Sequence, residues 1–321
     1  MLQRLALTLV VALATLGVNA QVDAQFTQYW AVPTYYNAGA VGNIDFIHIT
    51  AGSRLQWLGI EHSPKTFVAM ADMPFKFFER RWGTGVVLQQ ESMGLFKSVT
   101  AAAQIAWKKQ LLGGTLSVGV QPGMLNQSFN GDSTYIPSND QAHSTIDDAI
   151  PEGRVNGTAF DVSAGIMYTH KKFWVGVSAT HLTAPTVTMR VGESEDKVYE
   201  FDVGRTYYFM AGGNIPIKNT LFEIQPSVMV KTDLQFTQAE ATARVRYNKF
   251  LSAGVGYRHK DAVSLMFGAN VKDFFIGYSY DYATSAISKA SSGTHELFVT
   301  YNVKLDMKEK NKNKHKSIRI M

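Results

Sequence analysis

Cysteine is absent from the 321-residue chain, so neither a disulfide framework nor a lipid-modified cysteine is available to it. After the first twenty residues there is also no run of about eighteen apolar residues, the length that a membrane-spanning helix requires. A helical membrane protein is therefore excluded. Charged residues make up only 18% of a chain that is rich in Gly, Tyr and Phe, and this composition suits a membrane barrel better than a soluble enzyme.

Recognisable catalytic motifs are missing as well. The chain has no Gly-x-Ser-x-Gly elbow, no His-Glu-x-x-His pair and no glycine-rich phosphate loop. Its eight histidines are scattered, and the spacing of its loop acids fits no calcium template. We therefore expect no enzymatic activity, no cofactor and no metal site. One alternative function is an outer-membrane hydrolase, which would need a Ser–His pair at the lipid boundary.

The chain opens like a secretory precursor. Arg4 supplies the positive region, Leu5 to Val18 the apolar region, and Val18-Asn19-Ala20 a cleavage site of small residues. We predict a signal peptide over residues 1–20, with cleavage after Ala20. The mature protein would then be exported from the cytoplasm.

The last eighty residues alternate between apolar and polar side chains. A period of two predicts strands, since successive side chains of a strand point to opposite faces. An apolar outer face and a small or polar inner face on an exported chain predict an all-β fold, a transmembrane antiparallel β-barrel of the outer-membrane type. The outward positions are Phe274, Ile276, Tyr278, Tyr280, Tyr282, Leu297, Val299, Tyr301, Val303 and Leu305.

Turn residues divide the barrel region, residues 44–306, into about fourteen strands, an even number as in single-chain bacterial barrels. The long connections 128–157, 184–204 and 284–293 all fall at one end of the barrel. Because long loops of such barrels face outward and short turns face the periplasm, both termini are predicted to be periplasmic. The strands are expected near 44–57, 64–73, 82–90, 96–107, 114–127, 158–170, 172–183, 205–215, 220–231, 235–247, 250–258, 262–270, 273–283 and 294–306.

Two prolines interrupt this pattern. Pro122 and Pro226 lie in the middle of predicted strands, each after a glutamine. Proline cannot donate a hydrogen bond to the ladder, so we expect a bulge or a local break at both positions.

The segment 21–43 has no strand periodicity but is aromatic. Phe26, Tyr29 and Trp30 are large apolar groups outside any predicted strand, so they require burial in the barrel mouth or in an interface. We expect this segment on the periplasmic rim or as a plug in the lumen, and these three residues are candidates for partner contact. Inner-face glycines leave room for such a plug or mark sharp bends of the wall: Gly119, Gly165, Gly176, Gly254, Gly256, Gly268 and Gly277.

Four charged residues form a predicted lumen cluster. By strand parity Arg54, Arg258, Asp281 and Glu296 point inward near the outer ends of their strands. The first and last strands of a closed barrel are neighbours, which brings Arg54 towards Glu296. The cluster is interpreted as a charge network that fills the lumen and secures closure, or alternatively as a gate or docking patch for exported cargo.

The positive charge is concentrated in the tail. Residues 307–321 carry six cations and one acid, which accounts for the whole net charge of +5. The remaining body is neutral, so nucleic acid is not an expected partner. The tail is predicted to be a solvated periplasmic segment, and a contact with anionic headgroups or an acidic partner is the functional alternative. Its candidate contact residues are Lys308, Lys310, Lys312, Lys314 and Lys316.

Several motifs resemble one protein family. Gln25-Phe26-Thr27-Gln28-Tyr29 is similar to the "PQFSQY" start of the PorP/SprF family, and Asn37-Ala38-Gly39-Ala40-Val41-Gly42 to its "NPAYAG". Tyr257-Arg258-His259-Lys260-Asp261-Ala262 matches "YRHKDA". Pro226-Ser227 with Val230-Lys231 matches "PS..VK". Gly277-Tyr278-Ser279-Tyr280-Asp281-Tyr282 and Ser292-Gly293-Thr294-His295-Glu296 match "GYSYDY…SGSHE".

The resemblance implies an outer-membrane component of the type IX secretion system of Bacteroidetes. It implies a role in the export or surface attachment of cargo that bears a C-terminal signal, and the motifs do not separate a PorP-like from a SprF-like role. The implied partners are outer-membrane lipid, the periplasmic ring and lipoprotein components of that system, and exported adhesin or protease cargo. The alternative function is a passive porin or fatty-acid-type transporter, because about fourteen strands permit a pore.

Overall fold

The computed structural model describes residues 23–133, 151, 153–191 and 197–305. The predicted signal peptide, the middle of the longest loop and the basic tail 307–321 lie outside these residues. Within them, no helix is long and apolar enough to cross a membrane.

The described residues form seventeen strand segments. Their bounds are β1 (Phe46–Leu55), β2 (Lys65–Phe77), β3 (Arg80–Met93), β4 (Phe96–Leu111), β5 (Gly114–Asn130), β6 (Arg154–Thr169), β7 (Phe173–Thr180), β8 (Thr186–Val191), β9 (Val198–Asp202), β10 (Thr206–Gly213), β11 (Ile215–Pro216), β12 (Phe222–Thr232), β13 (Thr237–Tyr247), β14 (Leu251–Arg258), β15 (Ala262–Val271), β16 (Phe274–Ala283) and β17 (Thr294–Lys304).

These segments build a closed antiparallel barrel of fourteen strands, some of which consist of more than one segment, and this confirms the predicted fold. β17 pairs with β1, and β1 also pairs with β2, so the sheet has no free edge at the seam. β8 and β9 form a hairpin that extends the strands of β7 and β10, with β8 pairing with β6. β11 extends β10 and pairs with β12. We call the end at which β1 begins the proximal end and the end at which β1 finishes the distal end.

Alternation along each strand separates lipid-facing from lumen-facing side chains. In β5, Val118, Val120 and Met124 are exposed on the outer face, whereas Ser117 and Leu125 are buried on the inner face. The outward aromatic residues Phe173, Tyr247, Tyr278 and Tyr301 are likewise exposed. An apolar exterior of this kind is favourable only against hydrocarbon, as expected of a barrel in an outer membrane.

The two mid-strand prolines break the ladder without shifting it. Pro226 pairs in register with Ala243 of β13. On its other side, the neighbouring strand is interrupted between β10 and β11. Pro122 pairs with Val162 of β6, and the pairing with β4 lapses beside it. The expected local break is therefore present at both prolines. The alternative of a bulge is wrong, because the register is the same before and after each proline.

Residues 23–43 lie inside the barrel and are called the plug below. The plug contains one short helix, α1 (Pro33–Tyr36), and a 3-10 turn at Ala38–Ala40. Its side chains Phe26, Tyr29, Val32 and Tyr36 are buried and pack against inward residues of the wall, including Val68, Met70, Val87, Tyr208, Met210, Met229 and Phe298. One hydrophobic cluster of the described residues is thus the contact between plug and wall, and a second joins the β8–β9 hairpin to β5 and β6. Of the two positions predicted for this segment, the structure shows the lumen.

Candidate functional site

Five charged side chains meet inside the distal half of the lumen. The β1–β17 register places Arg54 opposite Glu296, with Nη1 3.1 Å from Oε2, and the other guanidinium nitrogen lies 3.0 Å from Asp281. Arg258 approaches Asp281 at 3.4 Å and Glu240 at 2.8 Å. All five residues are at most 3% exposed. The structure thus brings together the four predicted cluster residues and adds Glu240, which sequence reasoning missed although it is the cross-strand partner of Arg258.

The plug completes this network from the centre of the lumen. The backbone N–H groups of Thr27 and Gln28 donate to the two carboxylate oxygens of Glu296, both at 2.9 Å. The Thr27 hydroxyl donates to Asp281 at 2.8 Å and accepts from Arg258 at 2.9 Å. Three buried carboxylates face only two guanidinium groups, so these neutral donors offset part of the cost of the additional negative charge.

Asp23 anchors the start of the plug near the distal end. Its carboxylate lies 3.0 Å from Nε2 of His181, whose Nδ1 lies 2.8 Å from Asp161. Tyr208 donates to the same carboxylate at 2.8 Å, and Lys231 donates to the Asp23 carbonyl oxygen at 2.8 Å. In the sequence the histidines are scattered, and neither His181 nor Asp23 stands out as a site residue.

Electrostatics favour the charged forms of this anchor. Burial opposes the charge of His181, but the carboxylates of Asp23 and Asp161 outweigh it and raise the pKa of His181 to about 10. Burial also opposes the charge of Asp23, yet His181 and Lys231 hold the pKa of Asp23 well below its usual range. The anchor is therefore an ion pair at neutral pH.

The proximal half of the plug is held by amide groups. The Asn37 side chain donates to the carbonyl oxygens of Ile166 and Val177 at 3.0 and 3.1 Å, and so inserts between β6 and β7. Gly165 permits this approach, because an added Cβ there would lie 2.1 Å from Asn37 Oδ1. Gly277 does the same for Gln28, also at 2.1 Å. Gly119 and Gly176 likewise face plug atoms, since an added Cβ would lie 2.3 Å from the Ala38 carbonyl oxygen and 2.8 Å from Asn37 Nδ2, respectively, so four of the predicted inner-face glycines make room for the plug.

The residues predicted to contact partners belong to two parts of the chain, the plug and the basic tail. Phe26 and Tyr29 are buried in the plug, and Trp30 is half-buried beneath the guanidinium of Arg244, 3.3 Å from its ring centroid. In this structure they face the wall of the lumen, so partner contact by these three residues stays a prediction. The tail candidates lie outside the described residues: Lys308, Lys310, Lys312, Lys314 and Lys316.

Two cavities flank the plug. The distal cavity, of about 80 Å³, has a mixed lining that includes Asp23, Glu91 and Gln127 beside Val87 and Leu125. The proximal cavity, of about 310 Å³, is bordered by Trp30, Arg244 and the adjoining stretch of the plug. The arrangement therefore closes the lumen in its middle and uses its buried acids in ion pairs and hydrogen bonds.

Comparison with known proteins gives one family. The family model described as "Type IX secretion system membrane protein PorP/SprF" matches residues 18–301. No curated protein matches the chain.

Solved structures with similar folds are outer-membrane proteins of low identity. Omp33 of Acinetobacter baumannii is 9% identical, with a TM-score of 0.44 over 82% of this chain and 100% of its own. A FadL homologue of Pseudomonas aeruginosa is 10% identical, with a TM-score of 0.49 over 84% of this chain and 93% of its own. The toluene transporter TodX of Pseudomonas putida is 10% identical, with a TM-score of 0.45 over 85% and 95%.

Proposed function

Because the chain belongs to the PorP/SprF family of type IX secretion system membrane proteins, we propose that it supports export or surface attachment of cargo bearing a C-terminal signal. It would do so by docking periplasmic ring and lipoprotein components, exported adhesin or protease cargo, or both, without enzymatic chemistry of its own. Both termini would be periplasmic, so that the proximal end faces the periplasm.

The plug is the observation that carries this proposal. It occupies the middle of the lumen and is fixed by charged groups at Thr27 and by amide groups at Asn37. A barrel with a filled lumen leaves its rims as the surfaces on which other proteins act. This supports a docking role over free passage of solutes.

Charge at the proximal rim supports a docking face there. Its short turns present exposed lysines to solvent, and none of those named here forms an ion pair with a described residue. Such a surface attracts acidic partners, mainly by accelerating encounter. The proposed tail contacts would extend the same surface. The exposed lysines are Lys171, Lys172, Lys218, Lys249 and Lys272.

Site-specific photo-crosslinking tests this docking face. A photoreactive residue at Lys249 or Lys272 of the proximal turns should crosslink to periplasmic secretion components in intact cells. The matched control is Lys260, an exposed residue in a turn at the distal end. Crosslinks from Lys260 alone would place the docking face at the other end and contradict the proposal.

A second candidate function is passive transport of the porin or fatty-acid type. The two cavities favour it, since displacement of the plug would join them. Planar-bilayer recordings of the purified protein separate the two functions. Large, stable open channels support transport, and little steady conductance supports docking.

A further inference from the structure

The proximal cavity contains a buried cation without an anionic partner. Arg244 is 8% exposed, and no described residue accepts a hydrogen bond from its guanidinium or forms an ion pair with it. Its Nε is buried and unsatisfied, as is Nε1 of the neighbouring Trp30. A buried arginine without an oxygen partner is costly, so its presence requires an explanation.

Other cations of the lumen are satisfied by oxygen atoms. Arg54 and Arg258 pair with carboxylates, and Arg246 pairs with Glu223. Lys231 donates to a backbone carbonyl, and Lys108 donates to Asn43 and Ser117. Arg244 thus differs from its neighbours in the same wall, and its free donors border a cavity.

The wall holds Arg244 in a defined position. Its guanidinium stacks on Trp30, 3.3 Å from the ring centroid, in a favourable cation–π contact. Gly254, its cross-strand partner on β14, leaves room for the side chain, because an added Cβ would lie 2.4 Å from Arg244 Cγ. The partner on β12 is the neutral Gln225. Two flanking neutral residues leave the guanidinium available to an external anion.

The shape of the cavity limits what can enter it. A volume of about 310 Å³ is at the lower end of ligand pockets, which run from roughly 300 to 1,000 Å³. The plug residues Ala31 to Thr34 close it on the inner side, so it accepts the end of a chain rather than a segment that runs through. Its lining combines apolar Val32 and Phe275 with the side-chain amides of Gln225, Asn270 and Asn302, and it also includes Asp72, Arg246 and His48. Side-chain amides carry both donors and acceptors, which a peptide backbone can use.

We propose that the proximal cavity is a binding site for the carboxyl-terminal end of a peptide, with its terminal carboxylate on the guanidinium of Arg244. Arginine presents paired N–H donors that match the two oxygens of a carboxylate. The identity of the peptide as the end of a periplasmic secretion partner rests on the proposed function. Capture of a carboxylate by Arg244 does not depend on it.

Binding of defined peptides to the purified full-length barrel tests the site. The probe is a fluorescein-labelled hexapeptide of glycine, serine and leucine with a free carboxyl end, compared with the same peptide amidated. Fluorescence anisotropy should show at least tenfold tighter binding of the free acid. Arg244→Gln should abolish this difference, and Arg244→Lys should retain part of it because the charge remains. The control Arg205→Gln, at an exposed residue near the distal end, should change nothing.

Two further outcomes complete the test. Equal binding of the acid and the amide, or no binding of either, would overturn the site. Competition separates peptide ends from other carboxylates: acetate should displace the peptide only weakly, and octanoate no better than acetate. Displacement by octanoate below the concentration required for acetate would assign the cavity to aliphatic acids and overturn the proposal. Arg244→Gln is scored only where heat-modifiable gel mobility shows a folded barrel, and otherwise Arg244→Lys decides. Because these measurements use no secretion assay, their failure leaves the proposed docking function standing.

Discussion

Arg54 and Glu296 face each other across the seam at which the barrel closes, with Nη1 and Oε2 3.1 Å apart and both side chains almost fully buried. The first and last strands of the sheet are therefore joined by a charged pair as well as by backbone hydrogen bonds. Because the plug donates two N–H groups to the same carboxylate, seam and plug share one acceptor. Because Glu296 serves both the seam and the plug, barrel closure and insertion of the plug are energetically coupled.

The first prediction concerns this pair. Arg54→Gln leaves the buried Glu296 carboxylate without its counter-charge, which typically costs about 3–5 kcal/mol. Glu296→Gln should cost less, because Arg54 keeps its second partner, Asp281, at 3.0 Å. The double variant should lose clearly less than the sum of the two. The measurement is unfolding of the barrel followed by heat-modifiable gel mobility. Lys260→Gln combined with Glu296→Gln serves as the control and should be additive. Additive effects of the Arg54 and Glu296 changes would show that the two residues are not coupled.

The second prediction tests the fit of the plug. Gly165→Ala places a Cβ 2.1 Å from Asn37 Oδ1, and the Asn37 side chain is fixed by two backbone carbonyls. Overpacking of this kind costs roughly 1–3 kcal/mol, so the variant should unfold at a lower temperature. Its plug should also be displaced, and the variant should show frequent current openings in planar bilayers where the unaltered protein shows little conductance.

Gly204→Ala is the matched control for this change. An added Cβ at Gly204 meets no atom within 4 Å, so stability and conductance should stay unchanged. If Gly165→Ala behaves like Gly204→Ala in both measurements, the plug does not occupy the position described.

Strand periodicity explains how much of this molecule could be predicted. Side chains of a barrel wall alternate with a period of two residues, so parity alone places Arg54, Asp281 and Glu296 on the inner face. Closure of the barrel makes the first strand, which carries Arg54, the neighbour of the last strand, which carries Glu296. The hairpin β8–β9 was missed, because two strands of six and five residues give too short an alternation within the predicted loop 184–204.

The plug has no comparable repeat. Its sequence shows that Phe26, Tyr29 and Trp30 need burial, but it sets no register against the wall. The pairing of Asp23 with His181, or of Trp30 with Arg244, depends on how far the plug reaches along the lumen. Inner-face glycines were the available signal, and Gly119, Gly165 and Gly277 lie where plug atoms closely approach the wall.

The third prediction is a pH dependence of the plug anchor. The pKa of His181 is raised, so its contribution to stability is complete below its ordinary value of 6.5 and is lost as the pH rises through about 10. The pKa of Asp23 is lowered, so its contribution is present above its ordinary value of 3.8 and is lost in acid. The anchor should therefore be strongest between these two ordinary values and weaken steadily towards alkaline pH.

Limited proteolysis at pH 6 and pH 9.5 measures this effect. Cleavage within the plug should increase at the higher pH in the unaltered protein. His181→Gln should be cleaved more readily at pH 6 and should respond less to pH, since it has no imidazolium to lose. A variant with the same pH response as the unaltered protein would assign the dependence to another group.

The last prediction concerns the basic tail. β17 ends at Lys304, which pairs with Phe46 of β1, so barrel closure does not need residues 308–321. Their deletion should leave heat-modifiable mobility and membrane insertion unchanged. Deletion also removes the excess of positive charge, so recovery of periplasmic secretion components in pull-downs should fall. The loss should be larger at low than at high salt, since the screening length shortens from about 30 Å at 0.01 M to about 8 Å at 0.15 M. A tail of unchanged length with its five lysines replaced by glutamine is the control, and it should behave like the deletion because charge rather than chain length is responsible. Full recovery of the partners by both variants at low salt would move the docking face away from the tail, to the exposed proximal turns or to the long loops at the distal end.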